Sequence, residues 1–433
     1  MKTLPDNPNL DHLRRQAKDL LAGLRDSRTE LSLADAQAML AQRYGFRTWT
    51  DLKAEVDRRR GQADVADERL ARAVAACFGL GEVTGPMRSV ARADEMGRRW
   101  SLETERGRWA VRTMDTWRPI VDAETDVALQ QAAAGAGILL PTPVRSLSGA
   151  VVESVGGHSW RAYEWIHSGP PLIAPVRAAV TYEVGRVLAR IHRLGLPAPG
   201  RISPYHTSHR SACWIAGAGP VPEADWRGLA ARARAMHADW AAALTEAIPT
   251  LVDLGTIGEG ATPPPPVLCH NTLGPGSVRL GTLPRAVDRA VGGVPGEAGG
   301  GGASKRRSCL VVVGWEHAGG LPPSWELGDA LTHWSVDPDN GVNVAGARAM
   351  IEGYQSEAGV LPPLDMAMFR GAVIALGNYV FDLAEDALTA RDAGDQQHTA
   401  RSVRHVLPQL SSRARSRANL EQLLDVALAT AHS

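Results

Sequence analysis

The amino-acid sequence predicts an α+β protein in which a small all-α module precedes a two-lobed domain, one lobe mixed and the other mostly helical. Three observations lead there. Apolar residues recur every three or four positions at the start of the chain, the pattern changes to alternation around tight turns from about residue 75, and long helical stripes return beyond residue 175. The boundaries implied are 1–62 for the helical module, 63–74 for a linker, 75–166 for the mixed lobe and 167–433 for the helical lobe.

The module reads as three helices. In "NLDHLRRQAKDLLAGL" the residues Leu10, Leu13, Ala17, Leu20, Leu21 and Leu24 make one apolar stripe. Ser32 with Asp35, and Thr48 with Asp51, have the spacing of side-chain caps that open the second and third helices, and Gly45 separates them. The charged run 57–70 lacks a core pattern and reads as linker. In the mixed lobe, "GRRWSLETERGRWAVRTM" (97–114) alternates around Glu-Arg-Gly and predicts a hairpin. A helix is expected over 125–137, then strands in "ILLPTPVRSL" and "HSWRAYEWI". In the second lobe Val180, Val184, Leu188, Ile191 and Leu194 form a stripe, with others in 366–388 and 418–430. Between them lie "VLCHNTLGPGSVRL" (267–280) and the strand-like "SCLVVVGWE" (308–316). The Gly-rich stretch around 284–306 that separates these two is expected to be a disordered excursion.

Composition narrows the function classes. The 433 residues carry 47 Lys plus Arg against 47 Asp plus Glu, so no global charge draws the chain to nucleic acid or an anionic membrane, and a small molecule or a protein is the expected partner. No apolar core of a signal peptide opens the chain, and no later run reads as the ~20 apolar residues a bilayer requires, which predicts a cytoplasmic protein. Cys77, Cys213, Cys269 and Cys309 lie far apart without zinc spacing and read as buried free thiols. Arg well in excess of Lys, with abundant Ala and Gly, suggests a GC-rich bacterial genome.

The hairpin lobe, the helix "GRVLARIHRLG", the loop "HNTLGPGSV" and "VVVGWEHAG" followed by "SWELGDAL" together resemble the aminoglycoside phosphotransferase family, small-molecule kinases with a protein-kinase-like fold, over roughly 75–400. The module resembles a short helical unit that precedes ankyrin repeats in bacterial proteins, although no ankyrin pattern follows. The resemblance implies a catalytic loop H-G-D-L-x-P-x-N and a metal strand D-W-E. His270 matches the histidine, Asn271 stands where Gly is usual and Thr272 where the catalytic Asp belongs. Leu273, Pro275 and Gly276 match, Ser277 replaces the metal-binding Asn, and Gly314 replaces the metal-binding Asp while Trp315 and Glu316 are kept. Arg112 falls where the family holds the nucleotide phosphates, with Glu124 or Asp126 as its acidic partner. A phosphate-covering loop would lie in 79–90.

Chemistry weighs these departures. Phosphoryl transfer requires a held nucleotide, a bridging divalent metal and a carboxylate that orients the attacking hydroxyl. Thr272 has no basic form near neutral pH, and losing such a base costs on the order of 10²–10⁴ in rate. Gly314 offers a hard metal only its backbone, whereas Ser277 supplies a hydroxyl. Glu316, two residues along a strand, would face the same side as Gly314 and could stand in as ligand. His270 reads as a brace for the loop.

The leading expectation is a pseudokinase acting as a binding or regulatory module. The alternative is an active antibiotic or amino-alcohol kinase with relocated metal ligands, and a third reading makes the N-terminal helices an interaction module. The resemblance implies ATP or GTP with Mg²⁺ as cofactor if a nucleotide binds, and otherwise none. Asp329, Asp382, Glu385 and Asp386 are the candidates for reading an acceptor, Asp329 foremost.

Overall fold

The computed structural model describes residues 4, 8–25, 31–46, 48–59, 65–94, 97–114, 121–198, 219–282, 308–336, 341–389, 400, 403–404, 406–407 and 416–432. The expected excursion around 284–306 and Cys213 lie outside the described residues. The architecture is the expected α+β arrangement, two lobes preceded by helices.

Helices α1 (Leu10–Arg25), α2 (Leu33–Arg43) and α3 (Trp49–Arg59) pack around Leu13, Ala17, Leu20, Leu24, Leu40, Leu52 and Val56. Ser32 and Asp35 form the reciprocal capping box, and Thr48 and Asp51 exchange the same pair of bonds. Gly45, with φ of 79°, makes the turn between α2 and α3, a conformation that favours glycine.

Residues 68–74, assigned to the linker by their charge, instead belong to helix α4 (Glu68–Cys77), capped by Asp67. Its Ala71, Val74 and Ala75 pack with Leu102, Val111 and Trp160 in the core of the small lobe. Charge on the outward face concealed the short stripe. The small-lobe sheet runs β1 (Arg88–Asp94), β2 (Gly97–Thr104), β3 (Gly107–Thr113), β6 (His158–Glu164) and β4 (Pro143–Val144), with β5 (Glu153–Val155) also paired to β6. The β2–β3 hairpin turns at Glu105–Arg106, as read from the sequence, and α5 (Ala123–Gly135) follows it.

Strand β7 (Ser168–Pro171) leads out of the small lobe. It pairs with β9 (Val278–Thr282), which pairs on its other side with β10 (Ser308–Val312), while β8 (Val267–Cys269) pairs with β11 (Gly319–Leu321). These small sheets lie on a helical body of α6 (Ala178–Arg193), α7 (Glu223–Ala235), α8 (Ala241–Gly255), α9 (Pro323–Trp334), α10 (Val344–Ala358), α11 (Arg370–Thr389) and α12 (Arg417–Ala431). The segment 366–389 does have the length and hydropathy of a membrane span, contrary to the reading from sequence. Its Leu376, Val380, Phe381 and Ala384 are buried in the large-lobe core, which accounts for the apolar composition.

The module sits on the segment that joins the lobes. Ile173 completes its core, Gln16 Nε2 donates to the Pro171 carbonyl at 2.7 Å, and Gly23 lies flat against Pro175 and Val176. A Cβ at Gly23 would stand 2.4 Å from the Pro175 oxygen and 2.7 Å from Val176 Cα, both backbone atoms. Gly23→Val should therefore push the module off its seat at a cost of roughly 1–3 kcal/mol. Limited proteolysis should release the helical module from this variant faster than from the wild type, while the main unfolding transition of the two lobes is retained.

Candidate active site

The loop after β8 keeps the frame of a catalytic loop. His270 is fully buried; its Nε2 donates to the Val313 carbonyl at 3.1 Å, and its Nδ1 accepts from the Thr272 backbone N–H at 3.3 Å. That pattern sets the Nε2–H tautomer of a neutral ring, and burial lowers the His270 pKa in agreement. The ring packs edge-on to Trp315 at 4.8 Å between centroids. Thr272 Oγ1 lies 3.4 Å from the same Nδ1. His270 thus ties the loop to the strand that carries Gly314.

Asn271 has φ of 67°, a left-handed backbone that Asn tolerates better than most residues, which explains how it stands in a glycine position. Its backbone N–H donates to Glu326 Oε1 at 2.6 Å and its Nδ2 to the His317 carbonyl at 3.0 Å. Glu326, buried on α9, also meets His192 Nε2 at 2.7 Å, and His192 Nδ1 meets the Tyr354 hydroxyl at 2.8 Å. Burial acts to raise the Glu326 pKa, but the His192 hydrogen bond overrides it and the net shift is downward. His192, Cys269 and Glu326 have the donor types of a metal site. Cys269 Sγ, however, donates to the Leu321 carbonyl at 3.3 Å and the other two are bonded to each other, so the cluster braces the loop from beneath. Sequence reasoning missed it, because its members come from α6, β8 and α9 and meet only on folding.

The metal strand departs from expectation. β10 ends at Val312, Gly314 adopts φ of 89°, and residues 315–317 form one 3-10 turn. The alternation that would place Glu316 on the face of Gly314 therefore does not apply. Glu316 turns instead into the small lobe, where it accepts hydrogen bonds from Arg112 Nη1 and from the Tyr163 hydroxyl, the latter at 2.9 Å. Both Arg112 and Glu316 are buried. Burial would raise the Glu316 pKa; Arg112 and Arg161 beside it reverse this and hold the carboxyl far below its usual range.

The expected partners of Arg112 on α5 are engaged elsewhere. Glu124 pairs with Arg145 at 2.6 Å, and Asp126 makes two bonds of 2.7 Å to Arg161. The reason lies in register: Arg99, Arg112 and Arg161 are directly opposite one another on β2, β3 and β6, so three guanidinium groups leave one face of the sheet side by side. Asp126 takes the member on β6, which leaves Arg112 to Glu316 of the other lobe. The hairpin turn gave the signal for Arg99 and Arg112; Arg161 and Tyr163 alternate onto the same face of β6.

The residues at the metal positions do not fit a divalent ion. Gly314 brings no side chain, Ser277 only a hydroxyl, and Glu316 turns its Oε1 to Arg112 and Tyr163 of the small lobe. A Cβ at position 314 would meet Ser277 Oγ at 3.2 Å from a left-handed backbone, so the site is shaped around glycine. Among the acceptor candidates, Asp329 is buried on α9 with His333 Nε2 3.4 Å away, and Glu385 is bonded by Arg232 at 3.1 Å.

Comparison with known proteins agrees with this frame. Residues 89–284 match the phosphotransferase enzyme family, and residues 3–119 match a model described as a glyoxalase superfamily protein. No curated protein sequence matches. Spectinomycin phosphotransferase, solved with ADP and spectinomycin, is 13% identical with a TM-score of 0.53, over 85% of this chain and 98% of that one. An aminoglycoside phosphotransferase from Alicyclobacillus acidocaldarius is 14% identical with a TM-score of 0.48, over 84% and 98%. Amicoumacin kinase, solved with AMP-PNP, Ca²⁺ and its substrate, is 13% identical with a TM-score of 0.47, over 83% and 97%. The chain thus carries the two-lobed kinase-like fold, and its segment 89–284 is similar to the phosphotransferase enzyme family.

Two outcomes follow for stability. Glu316→Ala strands Arg112 in a buried site and should cost about 3–5 kcal/mol in denaturant unfolding. Burial lowers the pKa of His270, and lowers that of His317 to about 4 against the opposing pull of Glu316. Their unfolded counterparts take up protons near pH 6.5, so stability is complete above that pH and falls as pH drops toward 4, by up to about 1.4 kcal/mol per pH unit for each ring. A urea midpoint unchanged between pH 7 and 5 would contradict this.

Proposed function

We propose that the protein is a pseudokinase of the phosphotransferase enzyme family, a cytoplasmic module that binds a small molecule or a protein and no longer transfers phosphoryl groups. The observation that carries the reading is the Arg112–Glu316 contact. The cation that the family resemblance assigns to nucleotide phosphates, and the one carboxylate retained at the metal strand, neutralise each other in a buried site. Thr272, in the place of the base, has no carboxylate, and its hydroxyl faces a neutral imidazole that is itself hydrogen-bonded to Val313. Active transfer through relocated ligands would need Glu316 to serve a metal while its Oε1 is held by Arg112 and Tyr163.

The solved neighbours that hold nucleotides, with ADP in one and AMP-PNP and Ca²⁺ in another, support nucleotide as the first ligand to offer. Purified full-length protein should give no Mg²⁺-dependent ATP or GTP turnover above background, with or without spectinomycin as acceptor. Thr272→Asp should not create it, because Arg112 stays paired. Metal-dependent turnover that disappears in Thr272→Ala or Ser277→Ala would overturn the proposal.

A further inference from the structure

Three side chains from separate elements meet beneath the loop 270–277: His192 of α6, Cys269 at the end of β8 and Glu326 of α9. One donor atom from each lies within 4.8 Å of the other two, and all three residues are buried. His192 Nε2 and Glu326 Oε2 face each other at 2.7 Å. The remaining nitrogen and oxygen are held from outside the cluster, His192 Nδ1 by the Tyr354 hydroxyl at 2.8 Å and Glu326 Oε1 by the Asn271 backbone N–H at 2.6 Å. Outer bonds of this kind fix the ring and the carboxylate of a metal ligand.

Charge points the same way. Glu326 is a buried carboxylate, and among the described residues no Lys or Arg bonds to it; its printed partners are His192 and Asn271. Such a group is costly without a cation. A divalent ion bound by the Glu326 carboxylate and the Cys269 thiolate leaves the cluster neutral. Sulfur, imidazole and carboxylate together select a thiophilic ion over Mg²⁺ or Ca²⁺. Zn²⁺ takes such ligands at about 2.0–2.3 Å, which sets its donors roughly 3.3–3.8 Å apart. The separations in the cluster bracket that range, with 2.7 Å for the His192–Glu326 pair and 4.8 Å as the upper limit for any pair. The Leu321 carbonyl, 3.3 Å from Cys269 Sγ, is a further oxygen beside the sulfur.

We infer that His192, Cys269 and Glu326 form a closed site for one thiophilic divalent cation such as Zn²⁺, which pins α6, β8 and α9 together under the loop. Without the ion, protons close the cluster and it braces the loop by hydrogen bonds alone. On entry of the ion the Cys269 thiol proton leaves to solvent. The proton between His192 and Glu326 moves to Nδ1, where the Tyr354 oxygen accepts it. Burial holds the Cys269 thiol well above its ordinary pKa, so a thiolate there reports a bound metal. The site uses none of Ser277, Gly314 and Glu316, and it stands whether or not the chain transfers phosphoryl groups.

The test uses the full chain, reduced and freed of metal with EDTA, then titrated with Co²⁺ and afterwards with Zn²⁺. Co²⁺ should give a thiolate-to-metal band in the near ultraviolet that saturates at one equivalent, and Zn²⁺ should displace it. Zn²⁺ should also raise the thermal unfolding midpoint, whereas Mg²⁺ at the same concentration should not. Cys269→Ser should lose the band, and the combined Cys77→Ser, Cys213→Ser and Cys309→Ser variant should keep it. Tyr354→Phe, which removes only the outer bond to His192, should keep the band and weaken Zn²⁺ by about tenfold. A wild-type chain with neither band nor Zn²⁺ shift would reduce the cluster to a hydrogen-bonded brace and overturn the proposal. So would a band that persists in Cys269→Ser, or stabilisation by Mg²⁺ equal to that by Zn²⁺.

Discussion

Arg112 and Glu316 come from different lobes, and the contact between them sets how the two parts of the molecule meet. Each charge taken alone would be costly to bury; together, with the Tyr163 hydroxyl as a second donor to Glu316 Oε1, they offset one another in a buried place. The rest of the cleft follows from it. The 3-10 turn at 315–317 aims Glu316 into the small lobe, the left-handed Gly314 allows that turn to start, and the Asn271 side chain holds the turn's last carbonyl. The loop is tied on both sides, to Glu326 beneath and to Val313 and His317 beside it.

The substitutions at positions 272, 277 and 314 are coupled physically as well as chemically. Ser277 Oγ lies 3.2 Å from where a Cβ at 314 would be, so a larger residue at either position presses on the other. With Gly at 314 and Ser at 277 the loop and the strand approach closely, and His270 bridges the remaining gap to Val313. Bracing of this kind needs only a neutral ring, which burial of His270 favours.

Much of this was legible in the sequence, and the failures have definite causes. The hairpin over 97–114, the module's stripe and its caps follow from local periodicity and capping chemistry, which do not depend on distant residues. The loop positions followed from motif order. The helix at 68–77 was hidden because only Ala71, Val74 and Ala75 face inward from a charged segment. The partners of Arg112 were misplaced because pairing in a buried cluster is decided by register across three strands: Arg161 claims Asp126, and no local pattern reveals that competition. Glu316 was expected to follow strand alternation, and one 3-10 turn was enough to redirect it.

The seat of the N-terminal module connects these points. A unit tethered only by its chain would leave β7 exposed beside the cleft; instead Gln16 and Gly23 bring the module against Pro171, Pro175 and Val176, the segment through which the lobes are joined. Two constraints then act on the same hinge, the buried Arg112–Glu316 pair in front and the module along its edge. Relative motion of the lobes has to disturb one or both, so the fold favours a fixed cleft over one that opens and closes with each turnover.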